Sequence, residues 1–239
     1  MAVKVLDHGY VSLRNLSGPV RRRECIFDAD DVDPAQTARM SFAQVDVERP
    51  READLALAEY LMKNDHTTPI EMIETWWEMK MPIFVARQFM RHRTVSINEI
   101  SGRYVKLPKE FYVPDADIIG VQAKSQKQGR TIDSTKTPNE VAIEFTIDLH
   151  NHCLLAYEMY ENYLAHGIPH EIARSALPLN IYTRWIWKQD LHNLMHFLSL
   201  RSHSHAQFEA RQYANAIIRV LRDYLPHSME LFDKYRRKN

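Results

Sequence analysis

Arg91–Tyr104 reads RHRTVSINEISGRY, and it follows Pro82–Met90, which reads PIFVARQFM. The lead-in is nearly all apolar. The stretch after it gathers Arg91, His92, Arg93 and Arg103 around Glu99, with Ser96, Asn98, Ser101 and Tyr104 as neutral polar groups. Only Val95, Ile97 and Ile100 are clearly apolar there, so the segment is not core, yet its lead-in is not charged surface. A buried helix opening at Pro82 delivers a dense run of anion-binding groups into one place. Arg87 and Arg91 stand four apart on it, Gln88 and Arg91 three apart, so they share a face. Three adjacent basic residues are by themselves most often a solvated patch. The apolar lead-in and the polar series that follows reverse that reading, because converging guanidinium forks match phosphate oxygens. Glu99 among them is a structural ion pair or an acceptor for a ligand N–H; Ser96-x-x-Glu99 also fits a capping box.

Working outward, Trp77, Met79 and Met81 alternate with Trp76, Glu78 and Lys80, which predicts a strand over 75–81. Before it, Thr68-Pro69-Ile70-Glu71 reads as an N-cap, a first-turn proline and a capping box; a capped N-terminus is also an anion site. A helix from Pro50 carries Leu57, Ala58 and Leu61 inward and ends near Asn64, and Pro34 opens a shorter one through Arg39 and Met40. Residues 1–14 alternate loosely as one or two strands broken near Gly9, and Gly18–Asp33 reads as a charged, solvated loop. A further extended piece is expected at Phe111–Val113.

Residues 115–138 are polar, aperiodic and glycine-punctuated, a loop whose length suits a lid, an interface arm or a disordered segment. Beyond it the chain turns helical. Ala142, Phe145, Leu149, Cys153, Ala156, Tyr160 and Leu164 follow steps of three and four until Gly167 and Pro169. Helices follow over His170–Ala176, about Asp190–Arg201, and about Ser204–Leu225, the last with Ala210, Tyr213, Ile217, Leu221 and Tyr224 inward. The tail from Lys234 to Asn239 is basic and reads as frayed. With no repeat or linker, the reading is one α+β domain spanning 1–239, with a small mixed or antiparallel sheet and a helix-rich C-terminal half.

Thirty-one basic and 31 acidic residues cancel in a chain of 239, so any anion binding must be local rather than a bulk attraction to nucleic acid or membrane. The N-terminus carries no signal-peptide pattern and no apolar run reaches bilayer length, so a soluble, cytoplasmic protein is expected. Two cysteines are too few for a disulfide framework. Cys153 falls on an apolar stripe, and Cys25 follows Arg21–Arg23 without a histidine partner, so no thiol nucleophile is expected. None of the six glycines forms a phosphate-binding fingerprint.

Two further groups carry chemistry. Arg174 sits in a mixed short helix, and Arg201 ends an apolar one, where helix-dipole stabilisation is as good an account as catalysis. His192 and His196 share a helix face at the spacing of zinc proteases, but Asn193 stands where such enzymes place their general-base glutamate. A histidine metal site therefore lacks support, and the imidazoles can equally hydrogen-bond an aromatic cofactor.

RHRTVSINEISGRY resembles, at all nine specified positions, the R-H-R-x-x-S-x-N-E-x-S-x-R-Y motif of the flavin-dependent thymidylate synthases. The likeness extends to HTTPIE, PIFVARQ, IARSALPLNIYTRW and LRSHSHAQFE and covers most of 34–220, leaving 115–138 and both termini unmatched. It implies a homotetramer that binds FAD and methylates dUMP at C5, with methylenetetrahydrofolate giving the carbon and NADPH, through the flavin, the hydride. By resemblance, Gln88, Arg91, Glu99, Ser101, Gly102, Arg103 and Arg174 would hold dUMP. Arg201 would lie against the uracil and favour ionisation at N3. Thr68, Arg91, His92, Arg93, Glu99, Asp190, His192 and His196 would contact FAD, with Ser41 and His66 beside flavin or folate. Asp190, His192 and His196 depart from the Asn, Arg and Asn of the best-known members.

The implied chemistry is coherent without a cysteine: a guanidinium can stabilise negative charge developing on the pyrimidine, while redox work falls to the flavin. Two alternatives stand beside it. The scaffold could deliver a hydroxymethyl group instead of a methyl group. The basic motif could serve a nucleic-acid-binding module, against which the zero net charge and the lack of a basic-aromatic surface pattern argue.

Overall fold

The computed structural model describes residues 2–19, 28–44, 49–124, 129–132 and 140–237. Its central sheet runs β1 (Ala2–Val5), β2 (Gly9–Ser17), β3 (Glu74–Pro82), β7 (Tyr182–Asp190), β4 (Ser96–Glu99), antiparallel throughout. Around it lie α1 (Asp33–Ala38), α2 (Arg51–Lys63), α3 (Thr68–Glu71), α4 (Ile83–Phe89), α5 (Glu140–Ala165), α6 (His170–Ala173), α7 (Leu191–Arg201), α8 (Phe208–Tyr224) and α9 (Pro226–Tyr235). The α+β class is as expected, with the sheet resolved as purely antiparallel. No helix among the described residues is long and apolar enough to cross a membrane.

The alternation in β3 does what its sequence predicts: Trp77, Met79 and Met81 are fully buried, and Glu78 and Lys80 lie on the opposite face. Beside β3, β7 repeats the pattern, burying Trp185 and Trp187 while Arg184 and Ile186 face outward. This strand, unassigned from sequence, is central to the sheet. Its buried face meets α7 and α8, where Phe197 lies 4.7 Å from Phe89 and 4.8 Å from Trp187 between ring centroids. Such edge contacts add about 0.5–1.5 kcal/mol each beyond the area they bury. A second apolar cluster joins α5 to the segment after β4 through Leu107, Phe111, Cys153, Tyr157 and Tyr160.

Several sequence expectations are corrected. Ser96–Glu99 is a strand paired to β7, not a helix cap, because its backbone groups find a ladder there. The α3 helix begins one residue early, with Thr67 at the N-cap and no side-chain capping bond, so the proposed capping box at Thr68 is not formed. The helix from Pro82 stops at Phe89, which puts Arg91 beyond it rather than on one face with Arg87 and Gln88. Asp31 and Asp33 are buried rather than solvated, and Asp31 accepts the His227 and Ser228 N–H groups at 3.0 and 2.8 Å, capping α9. That helix is unassigned from sequence, and only its last two residues, Lys234 and Tyr235, fall in the tail read as frayed. Phe145 and Tyr224 are exposed rather than inward, and Leu57 is only half-buried. Phe111 contributes an isolated bridge to Ile181 rather than a strand. The stretch 115–138 is not wholly irregular: it contains a two-stranded hairpin, β5 (Val121–Gln122) with β6 (Arg130–Thr131). Cys25 lies outside the described residues.

Candidate functional site

Core packing places the Arg91–Arg93 segment. Phe89 ends α4 in the aromatic cluster, His92 N–H donates to the Phe89 carbonyl at 3.0 Å, and the His92 ring lies edge-on to Phe197 at 4.9 Å. The turn then passes through Thr94 at φ +62°, a conformation a β-branched residue rarely adopts and one that collects at functional sites. Beyond it the chain enters β4, whose pairing with β7 fixes Glu99.

Two clefts flank this turn. One, of ≈ 410 Å3, is lined by Arg91, His92, Arg93, Thr94, Gln189, Asn193, His196, Leu200 and Arg201, with no carboxylate among them. Arg201, at the end of α7, donates from Nε to His92 Nε2 at 2.9 Å and from Nη2 to the Gln88 carbonyl at 3.3 Å. Burial, then Arg201, then His196 hold the His92 imidazole down at about 4, so at neutral pH it is an uncharged acceptor for the guanidinium. Burial also lowers Arg201, which nevertheless keeps its charge at neutral pH. The Gln189 side-chain oxygen is buried with no donor among the described residues.

The other cleft, of ≈ 570 Å3, takes Arg87, Glu99, Gly102, Glu171, Arg174 and Thr183 onto an otherwise mainly apolar lining. Arg174 follows α6 in a 3-10 turn, and its Nε donates to the Glu171 carbonyl at 3.4 Å. Gly102 packs closely there: a Cβ would come within 3.1 Å of Leu107 and 3.3 Å of the Arg174 stem, so those side chains would have to shift. The Glu99 carboxylate accepts the Thr183 hydroxyl, and Glu99 also borders a smaller cleft with Glu78, Asn98 and Arg184. Ser101 and Arg103 flank Gly102. The Ser101 hydroxyl accepts the Arg103 N–H at 3.3 Å, and the Arg103 guanidinium sits 3.7 Å from Glu171.

The residues singled out in the sequence therefore divide. Arg91, His92, Arg93, His196 and Arg201 share one cleft, and Glu99, Gly102 and Arg174 share the other. Gln88 joins Arg201 through its backbone. Asp190 is the N-cap of α7, its oxygens accepting the Asn193 backbone and side-chain N–H groups at 2.8 Å each. His192 lines neither cleft, nor do the exposed Ser41, His66 and Thr68. Gln189, Asn193, Thr183 and Arg184 were missed. The alternation of buried and exposed residues along β7 was the signal that would have found three of them. Among the described residues, no three His, Cys, Asp or Glu side chains gather as metal ligands.

The fold thus brings guanidinium groups to the linings of both clefts. Residues 27–227 match the family model described as "Thymidylate synthase complementing protein". The chain belongs to the flavin-dependent thymidylate synthase family. Proteins named flavin-dependent thymidylate synthase from Ehrlichia ruminantium (strain Gardel) and Gluconobacter oxydans are 41% and 40% identical to it. These alignments cover 97% and 98% of this chain and 73% of each relative. Among solved structures, a UMP/dUMP methylase from Streptomyces cacaoi bound with 5-Br dUMP superposes with a TM-score of 0.81 at 28% identity, over 98% of both chains.

Proposed function

We propose that this enzyme methylates dUMP at C5 to give dTMP, taking the carbon from 5,10-methylenetetrahydrofolate and reducing equivalents from NADPH, with FAD as cofactor. The observation that carries the reading is the Arg201–His92–Gln88 cluster at the mouth of a cleft with no carboxylate lining. The donor set fits a flavin dinucleotide: Arg91, Arg93 and Asn193 suit its diphosphate, and the unpaired Gln189 oxygen suits an N–H or hydroxyl donor. Bound FAD would supply the redox step that no side chain can perform.

This chain's residues do the rest. Arg87 and Arg174 give the larger cleft two guanidinium groups for the nucleotide phosphate, and Gly102 lets the chain approach closely. Arg201, held by a neutral imidazole rather than a carboxylate, keeps its positive charge uncompensated and directed at negative charge developing on the uracil. Cys153, the cysteine among the described residues, lies in the α5 cluster with burial raising its thiol and lines neither cleft. On this reading activation is electrostatic.

The protomer is read as one domain of a cytoplasmic homotetramer. Ser41, His66 and Thr68 lie apart from both clefts, and α5 leaves Ile147 and Leu155 55% and 66% exposed, an apolar face suited to a neighbouring copy. Absorption of the purified protein is the first test, with light scattering on the same sample for assembly. A flavin spectrum, tetrameric mass and a methyl-bearing product from dUMP are expected. A colourless protein that refuses FAD and leaves dUMP unchanged would overturn the reading, and a hydroxymethyl product would redirect it.

A further inference from the structure

The β5–β6 hairpin lies outside the short motifs quoted from the sequence, yet its Arg130 reaches toward the nucleotide site. Arg130 of β6 donates from Nη2 to Glu209 Oε1 at 2.7 Å, its guanidinium 5.4 Å from the Phe208 ring. Glu209, in the first turn of α8, is 1% exposed. Tyr112 donates its hydroxyl to the same oxygen at 3.0 Å, and Gln207 Nε2 donates to Oε2 at 2.9 Å. Gln207 then accepts, through its own side-chain oxygen, the Gln88 side-chain N–H. The next link is the Gln88 carbonyl, which Arg201 holds.

The order of donors in this relay is dictated by its anchor. An ionised carboxylate only accepts, so the Gln207 amide must turn its NH2 toward Glu209 and its oxygen toward Gln88. Gln88 must in turn spend one N–H on Gln207, which fixes its side chain. A carboxylate this deeply buried is tenable only with a cation beside it. Arg130 is that cation, and Tyr112, whose phenol is raised by burial and then by Glu209, remains a neutral donor.

We infer that Arg130 is a positioning residue for the nucleotide site: by neutralising Glu209 it locks Gln207 and Gln88, so docking of the hairpin and ordering of the site are one event. The inference rests on the reading of Gln88 as a dUMP-binding residue. The test compares Arg130→Met with Arg130→Met/Glu209→Gln in the full-length enzyme. Arg130→Met should raise KM for dUMP roughly tenfold, the loss of one ordered hydrogen-bond contact, with kcat changed little. Without ligand, it should also speed backbone hydrogen exchange in the 202–208 segment. In the double variant, a neutral glutamine can turn its single oxygen to the Gln207 N–H and its NH2 to the Tyr112 hydroxyl, which can accept, so KM and exchange should both return toward those of the parent.

Unchanged KM in Arg130→Met would overturn the inference. So would a double variant as impaired as the single one, because Arg130 would then be touching the ligand itself. If Arg130→Met fails to fold, Arg130→Lys takes its place, with a smaller effect expected in the same direction. A parent enzyme inactive on dUMP would count against the proposed function, while the exchange measurement would still read whether the relay exists.

Discussion

Replacing His92 by glutamine tests the electrostatic core of the site. The imidazole accepts from Arg201 Nε at 2.9 Å and is held at about 4, against an ordinary value of 6.5, by burial, Arg201 and His196. Its folded value lies below its unfolded one, so the unfolded chain takes up a proton that the folded chain refuses. Stability is full above the unfolded value and falls as pH drops from about 6.5 toward 4. In a sealed site that interval would correspond to ~3 kcal/mol; His92 is only half-buried, and solvent screening reduces it to about 1–2 kcal/mol. Roughly 1 kcal/mol of this should be gone by about pH 5.

Glutamine keeps an acceptor for Arg201 but has no proton to gain. Thermal unfolding of the parent and His92→Gln at about pH 7.5 and about pH 5 isolates the effect, because the other titrating groups are common to both. The parent should lose about 2–4 °C more than the variant on acidification, given the melting-temperature sensitivity of a chain this size. Parallel losses within a degree would mean that His92 is not held neutral beside Arg201, and the account of an uncompensated guanidinium would fall with it.

Two further outcomes follow from the same geometry. Arg201→Lys keeps a charge but loses the fork that reaches both His92 and the Gln88 carbonyl. Turnover should drop roughly 10–100-fold with dUMP binding largely retained, and an unchanged kcat would remove its role. Arg91→Ala should weaken FAD retention by roughly tenfold, measured by flavin release; unchanged retention would contradict the assignment of that cleft to the flavin.

Much of the fold was legible where one periodicity ruled a segment. The β3 strand could be read because Trp77, Met79 and Met81 alternate strictly with polar neighbours. The α5 and α8 helices could be read because apolar steps of three and four persist over several turns. Local rules failed where a tertiary partner outbid them. Ser96-x-x-Glu99 has the chemistry of a cap, but β7 offers its backbone a ladder. Asp31 looks like loop surface until α9 brings two unpaired N–H groups to it. Phe145 lies on a stripe that looks inward in one dimension, yet it faces out of the protomer.

The sequence by itself determined the chemical inventory: which guanidinium groups follow the apolar helix, that the chain has only two cysteines, and to which family the fourteen-residue motif points. Residue type and short-range spacing carry that information, because ligand chemistry depends on functional groups before it depends on their placement. Tertiary structure decided which groups meet. His92 and Arg201 are 109 positions apart and Arg130 and Glu209 are 79 apart. Their pairings exist because aromatic packing around Phe197 and burial of Glu209 bring distant segments together. Burial then sets what each group can do, making His92 a neutral acceptor and leaving Glu209 dependent on a cation from the hairpin.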